Sequence, residues 1–222
     1  MGRTFAIGDI HGCFRTLFEL LIRVIDLKKS DRLILLGDYI DRGDQIRDVI
    51  DFIIDLKEKG FDIVTLRGNH EQMLLDSVSD VEMFTLWMMN KGASTLESFG
   101  VSDASGLEGK YLEFFRSLAN YTEIGNILFV HAGFNDFIDN PFSDTESMIW
   151  NSGLSYNNPL LKDRIIIHGH RPKQVAYVEA LLRDKSRVIP IDTGCVYDKE
   201  LGYGNLSALN IQEMKLISLP RQ

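Results

Sequence analysis

Residues 32–43 read RLILLGDYIDRG. An apolar run here empties into a loop bracketed by Gly37 and Gly43 that carries Asp38, Asp41 and Arg42. A short, continuous apolar run ending in turn residues reads as a buried strand. A solvated turn accounts for the glycines and one acid, but not for what recurs elsewhere. RTFAI (3–7) is followed by Asp9 and His11 within GDIHG, and DIVTL (62–66) by Gly68-Asn69-His70-Glu71. ILFV (127–130) leads into His131, and RIII (164–167) into Gly169 and His170. Five strand-like runs thus end in side chains able to bind a cation.

Helical patterns separate the first three strands. FRTLFELLIRVIDL (14–27) has apolar residues at 14, 17, 18, 21, 24 and 25, a helical stripe. IRDVIDFIIDLKEKG (46–60) carries Lys57 and Lys59 in its last turn and Gly60 where it should stop. Strand–helix alternation predicts an α/β fold with parallel neighbours. Residues 81–119 read as an inserted helical cap, broken at Lys91-Gly92, with Ser94-x-x-Glu97 as a capping box and too little length for a core of its own. YTEI and ILFVHA flank Gly125-Asn126 as a hairpin. Residues 133–163, rich in Asn, Asp, Ser and Pro, read as a long surface loop. RIIIHGH, RVIPIDTG, NLSALNI and KLISL add further strands, giving a β-rich second half within one domain spanning 1–222.

The chain has 222 residues, 45% of them hydrophobic and 25% charged, a soluble globular composition. No apolar run is long enough for a signal peptide's core or a membrane span, so a cytoplasmic location is expected. A formal charge of -8 argues against a nucleic-acid partner, and it would repel an anionic substrate unless local cations outweighed it. Cys13 and Cys195 do not form a disulfide framework and read as small buried fillers.

Carboxyl ends of parallel strands share one sheet edge, where α/β folds place ligands. Five turns could therefore bring Asp9, His11, Asp38, Asn69, His131 and His170 together, and the alternate residues Asp9 and His11 could face one target. Oxygen and imidazole donors without thiolate favour Mn, Fe or Zn. Six donors suit two ions about 3.5–4 Å apart, with Asp38 as the bridge. Singly, each residue has a plainer reading: Asn69 as a helix cap, Asp9 and Asp38 as turn residues, His131 as a satisfied interior histidine. That plainer account must be invoked separately at five strand ends.

GDIHG (8–12), GDYIDRG (37–43), RGNHE (67–71), HAG (131–133) and HGH (168–170) resemble the metal-dependent phosphoprotein phosphatases. With IDTGC and GNLSALNI, the pattern is most similar to their bacterial and phage branch, typified by lambda phosphatase. The resemblance implies a four-layer α/β/β/α sandwich. It implies Asp9, His11 and Asp38 on one metal and Asp38, Asn69, His131 and His170 on the other, Mn being the first choice. Arg42 would grip phosphate oxygens, and His70, oriented by Asp41, would be the general acid. The branch usually has an arginine after Trp-Asn; here Ser152 follows Trp150-Asn151, and Arg171 is a candidate replacement, although alternation points it away from the face of His170. His168 reads as a bystander, Glu71 as structural, Arg67 as a partner of nearby acids, and Trp150 as a packing residue.

The function expected is phosphomonoester hydrolysis by a hydroxide bridging two metals, on a phosphorylated protein or a small phosphoester. A serine/threonine phosphatase is the first reading. A symmetrical diadenosine tetraphosphate hydrolase is the alternative, and a non-catalytic scaffold the third.

Overall fold

A computed structural model describes residues 2–197, 199 and 202–222. The first half runs β1 (Thr4–Ile7), α1 (Phe14–Phe18), β2 (Arg32–Leu35), α2 (Ile46–Glu58), β3 (Asp62–Thr65) and α3 (Asn69–Ser77). The insert supplies α4 (Val81–Met89), α5 (Ala93–Phe99) and α6 (Gly109–Arg116). Then come β4 (Tyr121–Ile124), β5 (Ile127–Val130), α7 (Thr145–Trp150), β6 (Ile165–His168), α8 (Val175–Arg183), β7 (Val188–Pro190), β8 (Asn205–Asn210) and β9 (Lys215–Pro220).

Two sheets form. One has the order β3-β2-β1-β8-β9, with β1, β2 and β3 parallel; the other has the order β4-β5-β6-β7, with β5, β6 and β7 parallel. Strand alternation sorts the side chains into layers. Phe5, Ile7, Leu33 and Leu35 face α1, α2 and the insert. Ala6, Ile34 and Leu209 meet Phe129, Ile167 and Ile189 between the sheets. Leu128, Val130 and Ile166 face outward onto Phe134, Met148, Tyr156 and Leu161. Burial on both faces is why these strands read as unbroken apolar runs, and the α/β/β/α order expected from the sequence holds. The fourth layer is thin, made of α7 and the chain around it.

Several local expectations need correction. The helix from Phe14 turns π-helical over Glu19–Val24, with Ile25 N–H donating to Leu20 O at 2.9 Å. The wider turn rotates the stripe, so Leu17, Leu20, Leu21 and Ile25 are buried while Phe18 and Val24 are exposed. Ser94 caps nothing from outside: it lies within α5, its hydroxyl donating to Lys91 O. Residues 133–163 are not simply a surface loop. Asp144 caps α7 by accepting from Ser147 N–H at 3.0 Å, and Phe134, Met148, Tyr156 and Leu161 form a buried cluster. Helix α8 was not anticipated, although Val175, Val178, Leu181 and Leu182 carry helical spacing. Cys13 and Cys195 are buried free thiols, Cys13 Sγ donating to His11 O at 3.7 Å.

Candidate active site

The turns after β1, β2, β3, β5 and β6 converge at one end of the sandwich. Two groups of close ligand atoms result, His11–Asp38–His70 and Asp38–His131–His170, each within 4.8 Å and sharing Asp38. The backbone needed is unusual. His11, Asp38, Asp41, Arg42 and His170 all have φ between 45° and 70°, a region that non-glycine residues seldom occupy and that costs about 1–3 kcal/mol each. Glycine makes the approach possible at Gly169, where a Cβ would collide with Asp9 Oδ1.

Glu71 holds the Asp38 turn in place. Its buried carboxylate accepts N–H bonds from Asp38 (2.9 Å), Tyr39 (2.8 Å), Ile40 (3.3 Å) and Gly68 (3.0 Å). Burial, aided by Asp38, raises its pKa against these N–H bonds, and with four donors on its two oxygens the carboxylate is the form they fit. The structural role expected for Glu71 is thus larger than a helix N-terminus requires.

Burial alone would raise the Asp38 pKa; positive charge on the imidazoles around it, His131 and His70 foremost, pulls it down, and of these only His70 has its own pKa raised. The imidazoles are oriented by backbone carbonyls. His11 Nδ1 lies 2.7 Å from Ile40 O, and His131 Nδ1 lies 2.9 Å from Leu36 O. A carbonyl only accepts, so both Nδ1 atoms carry hydrogen and both Nε2 lone pairs point inward. Burial lowers the pKa of both rings and takes His170 down to about 3, so all three are neutral near pH 7. His131 Nε2 then faces Asp38 Oδ1 at 3.5 Å and Asn69 Oδ1 at 3.1 Å, and His11 Nε2 faces Asp38 Oδ2 at 3.5 Å. Acceptors aimed at acceptors need positive charge between them; Arg42 meets His11 Nε2, and the donor set as a whole fits divalent ions.

Not every candidate lies where the sequence implied. Asn69 is no cap: α3 begins at it, and its amide oxygen also lies 3.1 Å from His170 Nδ1. Asp9 lies outside both groups. Its carboxylate accepts His170 N–H at 3.0 Å, because the chain leaves extended geometry before His11 and alternate residues no longer face one way. Burial, Asp192 and Asp38 together raise the Asp9 pKa. His70 joins the first group in addition. Its Nδ1 lies 2.5 Å from Asp41 Oδ2, and its Nε2 is 4.0 Å from Asp38 Oδ2. Burial opposes charge on His70, but Asp38 and the Asp41 hydrogen bond outweigh it and raise its pKa.

Sequence reasoning missed what holds Asp41. Trp87 Nε1 from α4 donates to its Oδ2 at 2.9 Å, and the Thr95 hydroxyl from α5 donates to its Oδ1 at 2.5 Å. Thr95 Oγ1 accepts Asp41 N–H in return at 3.0 Å. Nothing in the local sequence signals either residue. Arg42 Nη1 donates to His11 Nε2, and its guanidinium lies 5.5 Å from the Tyr197 ring centroid. Among the described residues Arg67 pairs with no acid: it donates to Gln72 Oε1 and to the carbonyls of Arg116 and Leu118. Trp150 does more than pack, its half-exposed ring standing edge-on to His170 at 6.2 Å. His168 lies outside both ligand groups, with its Nδ1 on Gly169 O, and Arg171 is exposed.

A two-sheet sandwich whose strand ends gather imidazoles around one shared aspartate defines a metallohydrolase. Residues 2–194 match the calcineurin-like phosphoesterase family, and the chain belongs to it. It is 41% identical over 88 residues to serine/threonine-protein phosphatase 1 of Salmonella typhimurium, covering 40% of this chain and 38% of that one. It is 32% identical over 129 residues to the symmetrical bis(5'-nucleosyl)-tetraphosphatase of Pseudomonas syringae, covering 58% and 41%. The asymmetrical enzyme of Anoxybacillus flavithermus aligns over 96% of this chain and 92% of its own at 24% identity. The match thus spans about two fifths of the length of the first two relatives. Among solved structures, one provisionally described as a diadenosine tetraphosphatase superposes with TM-score 0.70 at 23% identity, covering 100% of this chain and 94% of that one. A Saccharomyces cerevisiae serine/threonine phosphatase does so at 0.62 and 16% identity, covering 100% and 80%; both show the fold alone. No helix among the described residues is long and apolar enough to cross a membrane.

Proposed function

We propose that the protein hydrolyses phosphomonoesters, with a phosphoserine or phosphothreonine side chain as the first substrate reading. The observation that carries this is the Asp41–His70 pair directed at Asp38, the aspartate common to both ligand groups. His11, Asp38 and Asp9 would hold one divalent ion, and Asp38, Asn69, His131 and His170 a second. When bound, such ions supply Lewis-acid charge neutralisation and an activated water.

The chain's own residues do the rest. Arg42 swings its guanidinium onto the non-bridging phosphate oxygens, where planar, two-pronged donation neutralises charge spread over the transition state. His70, charged through its Nε2–H and tethered at Nδ1 by Asp41, gives its proton to the leaving oxygen. Thr95 and Trp87 keep the Asp41 carboxylate from rotating, so that it accepts from Nδ1 and leaves Nε2 facing the reaction. His11, His131 and His170 stay neutral and keep their lone pairs inward.

A dinucleoside tetraphosphate is the second reading, favoured by the alignment over 96% of the chain with an asymmetrical bis(5'-nucleosyl)-tetraphosphatase. The test is a panel of p-nitrophenyl phosphate, a phosphoserine peptide and diadenosine tetraphosphate, assayed with Mn²⁺. Preference for the peptide supports the first reading and preference for the dinucleotide the second. Inactivity on all three, with metal bound, would leave the scaffold reading.

A further inference from the structure

A second feature lies beside the metal-ligand groups rather than in them. The outer face of the second sheet, the chain after Trp150 and helix α8 enclose a cavity of about 520 Å³, within the roughly 300–1,000 Å³ typical of small-molecule sites. Lys162, Arg164, Arg171, Lys173 and Arg187 line it, and no carboxylate does. That is a strong local bias in a chain of net charge -8. Arg164 pairs with Glu123 and Arg187 with Asp163. Among the described residues, Lys162, Arg171 and Lys173 have no such partner.

Leu161, Tyr177, Leu181 and Val188 add apolar surface to the lining, with Lys173 Nζ 5.7 Å from the Tyr177 ring centroid. Cations together with a hydrocarbon and aromatic surface suit a molecule with a phosphate chain and a ring system.

We propose that this cavity binds a phosphorylated small molecule of about nucleotide size, with its phosphates on Lys173, Arg187 and Arg164 and its ring against Tyr177 and Leu181. Position suggests two sources for such a molecule. The cavity shares the 168–171 turn with His170, and Ser152 lies two residues from Trp150, whose ring meets His170. The ligand is therefore either the non-reacting part of a substrate or a separate molecule bound alongside one.

The probe is α,β-methylene-ADP, which carries two phosphoryl groups and resists hydrolysis. Calorimetric titration into metal-free protein should give one saturable site. The Lys173→Ala/Arg187→Ala double variant should weaken binding at least about tenfold, the scale of a lost charged hydrogen bond, while its kcat/KM for p-nitrophenyl phosphate stays within about twofold; Lys173→Arg should retain affinity. In the metal-loaded enzyme, purely competitive inhibition of p-nitrophenyl phosphate hydrolysis would assign the cavity to the substrate, and a change in kcat alone would assign it to a separate ligand. Absence of saturable binding, or affinity undiminished in the double variant, overturns the proposal. An enzyme inactive on every phosphoester yet binding the probe would defeat the hydrolase reading and leave this one standing.

Discussion

The two sheets contribute to the centre in different ways. The first sheet's turns carry Asp38, Asp41, Asn69 and His70, and they are locked by charged hydrogen bonds. Glu71 grips the Asp38 turn, while Trp87 and Thr95 reach Asp41 across 46 and 54 residues of chain. The second sheet's turns carry His131 and His170, with ring contacts at 5.1 Å to each other and 6.2 Å to Trp150. Its buttress, residues 134–161, packs through apolar groups and opens on a basic cavity. Charged networks in a low-dielectric interior fix geometry tightly, whereas edge-on aromatic contacts tolerate adjustment. On the reading proposed above, proton transfer falls on the stiff side and the proposed ligand cavity on the adaptable one.

The severest test is the residue on which both sides depend. Asp38→Asn should lower kcat/KM about 10³-fold or more, because several kcal/mol of charge stabilisation is lost. Metal analysis should find fewer than two ions per chain, and an unchanged stoichiometry would show that the aspartate is not shared. Chelation should abolish activity, with Mn²⁺ restoring it.

His70→Asn comes next, with kcat falling roughly 10²–10⁴-fold, more for alkyl than for aryl phosphates; equal losses would remove the general-acid role. The pH profile carries the same point. His70 must be protonated to act, and its pKa is raised, so kcat should fall only as pH climbs through that raised value. Asp41→Asn removes a raising interaction and should move this basic limb to lower pH.

Trp87→Phe tests the stiff side at a distance. Groups that orient a reacting residue through another are worth about 10–100-fold, and kcat should drop with KM little changed. A loss confined to KM would mean that the insert touches substrate instead. The smallest effect belongs to the other buttress. The Tyr156 hydroxyl accepts Phe134 N–H at 3.1 Å, so Tyr156→Phe should cost roughly 1–2 kcal/mol in denaturant unfolding and leave kcat/KM alone. A catalytic defect there would erase the distinction between the two sides.

Much of this centre was legible in the sequence because its donors sit immediately after strands, and strands buried on both faces are conspicuous as apolar runs. Asp38, Asn69, His131 and His170 were placed by that logic, and Asn69 proved to have no capping role. Asp9 stands beside the two close groups, accepting His170 N–H, and its alternation with His11 does not carry over, since that rule holds only while the backbone stays extended. Trp87 and Thr95 were invisible for a different reason: each lies on a helix with its own packing logic, and only the folded insert brings them to Asp41. Helix α8 was readable from Val175, Val178, Leu181 and Leu182, but the π-helical stretch was not, since a wider turn leaves no mark on composition.

Five non-glycine residues of positive φ gathered at the centre mean that this protein would gain by giving up its chemistry. Glycine at Asp38 or His170 would relieve a conformational penalty that the present side chains incur. Random substitution combined with selection for heat resistance alone should therefore erode the centre first. Long-term retention of these residues would mark a lineage in which turnover, rather than endurance, has been the trait under selection.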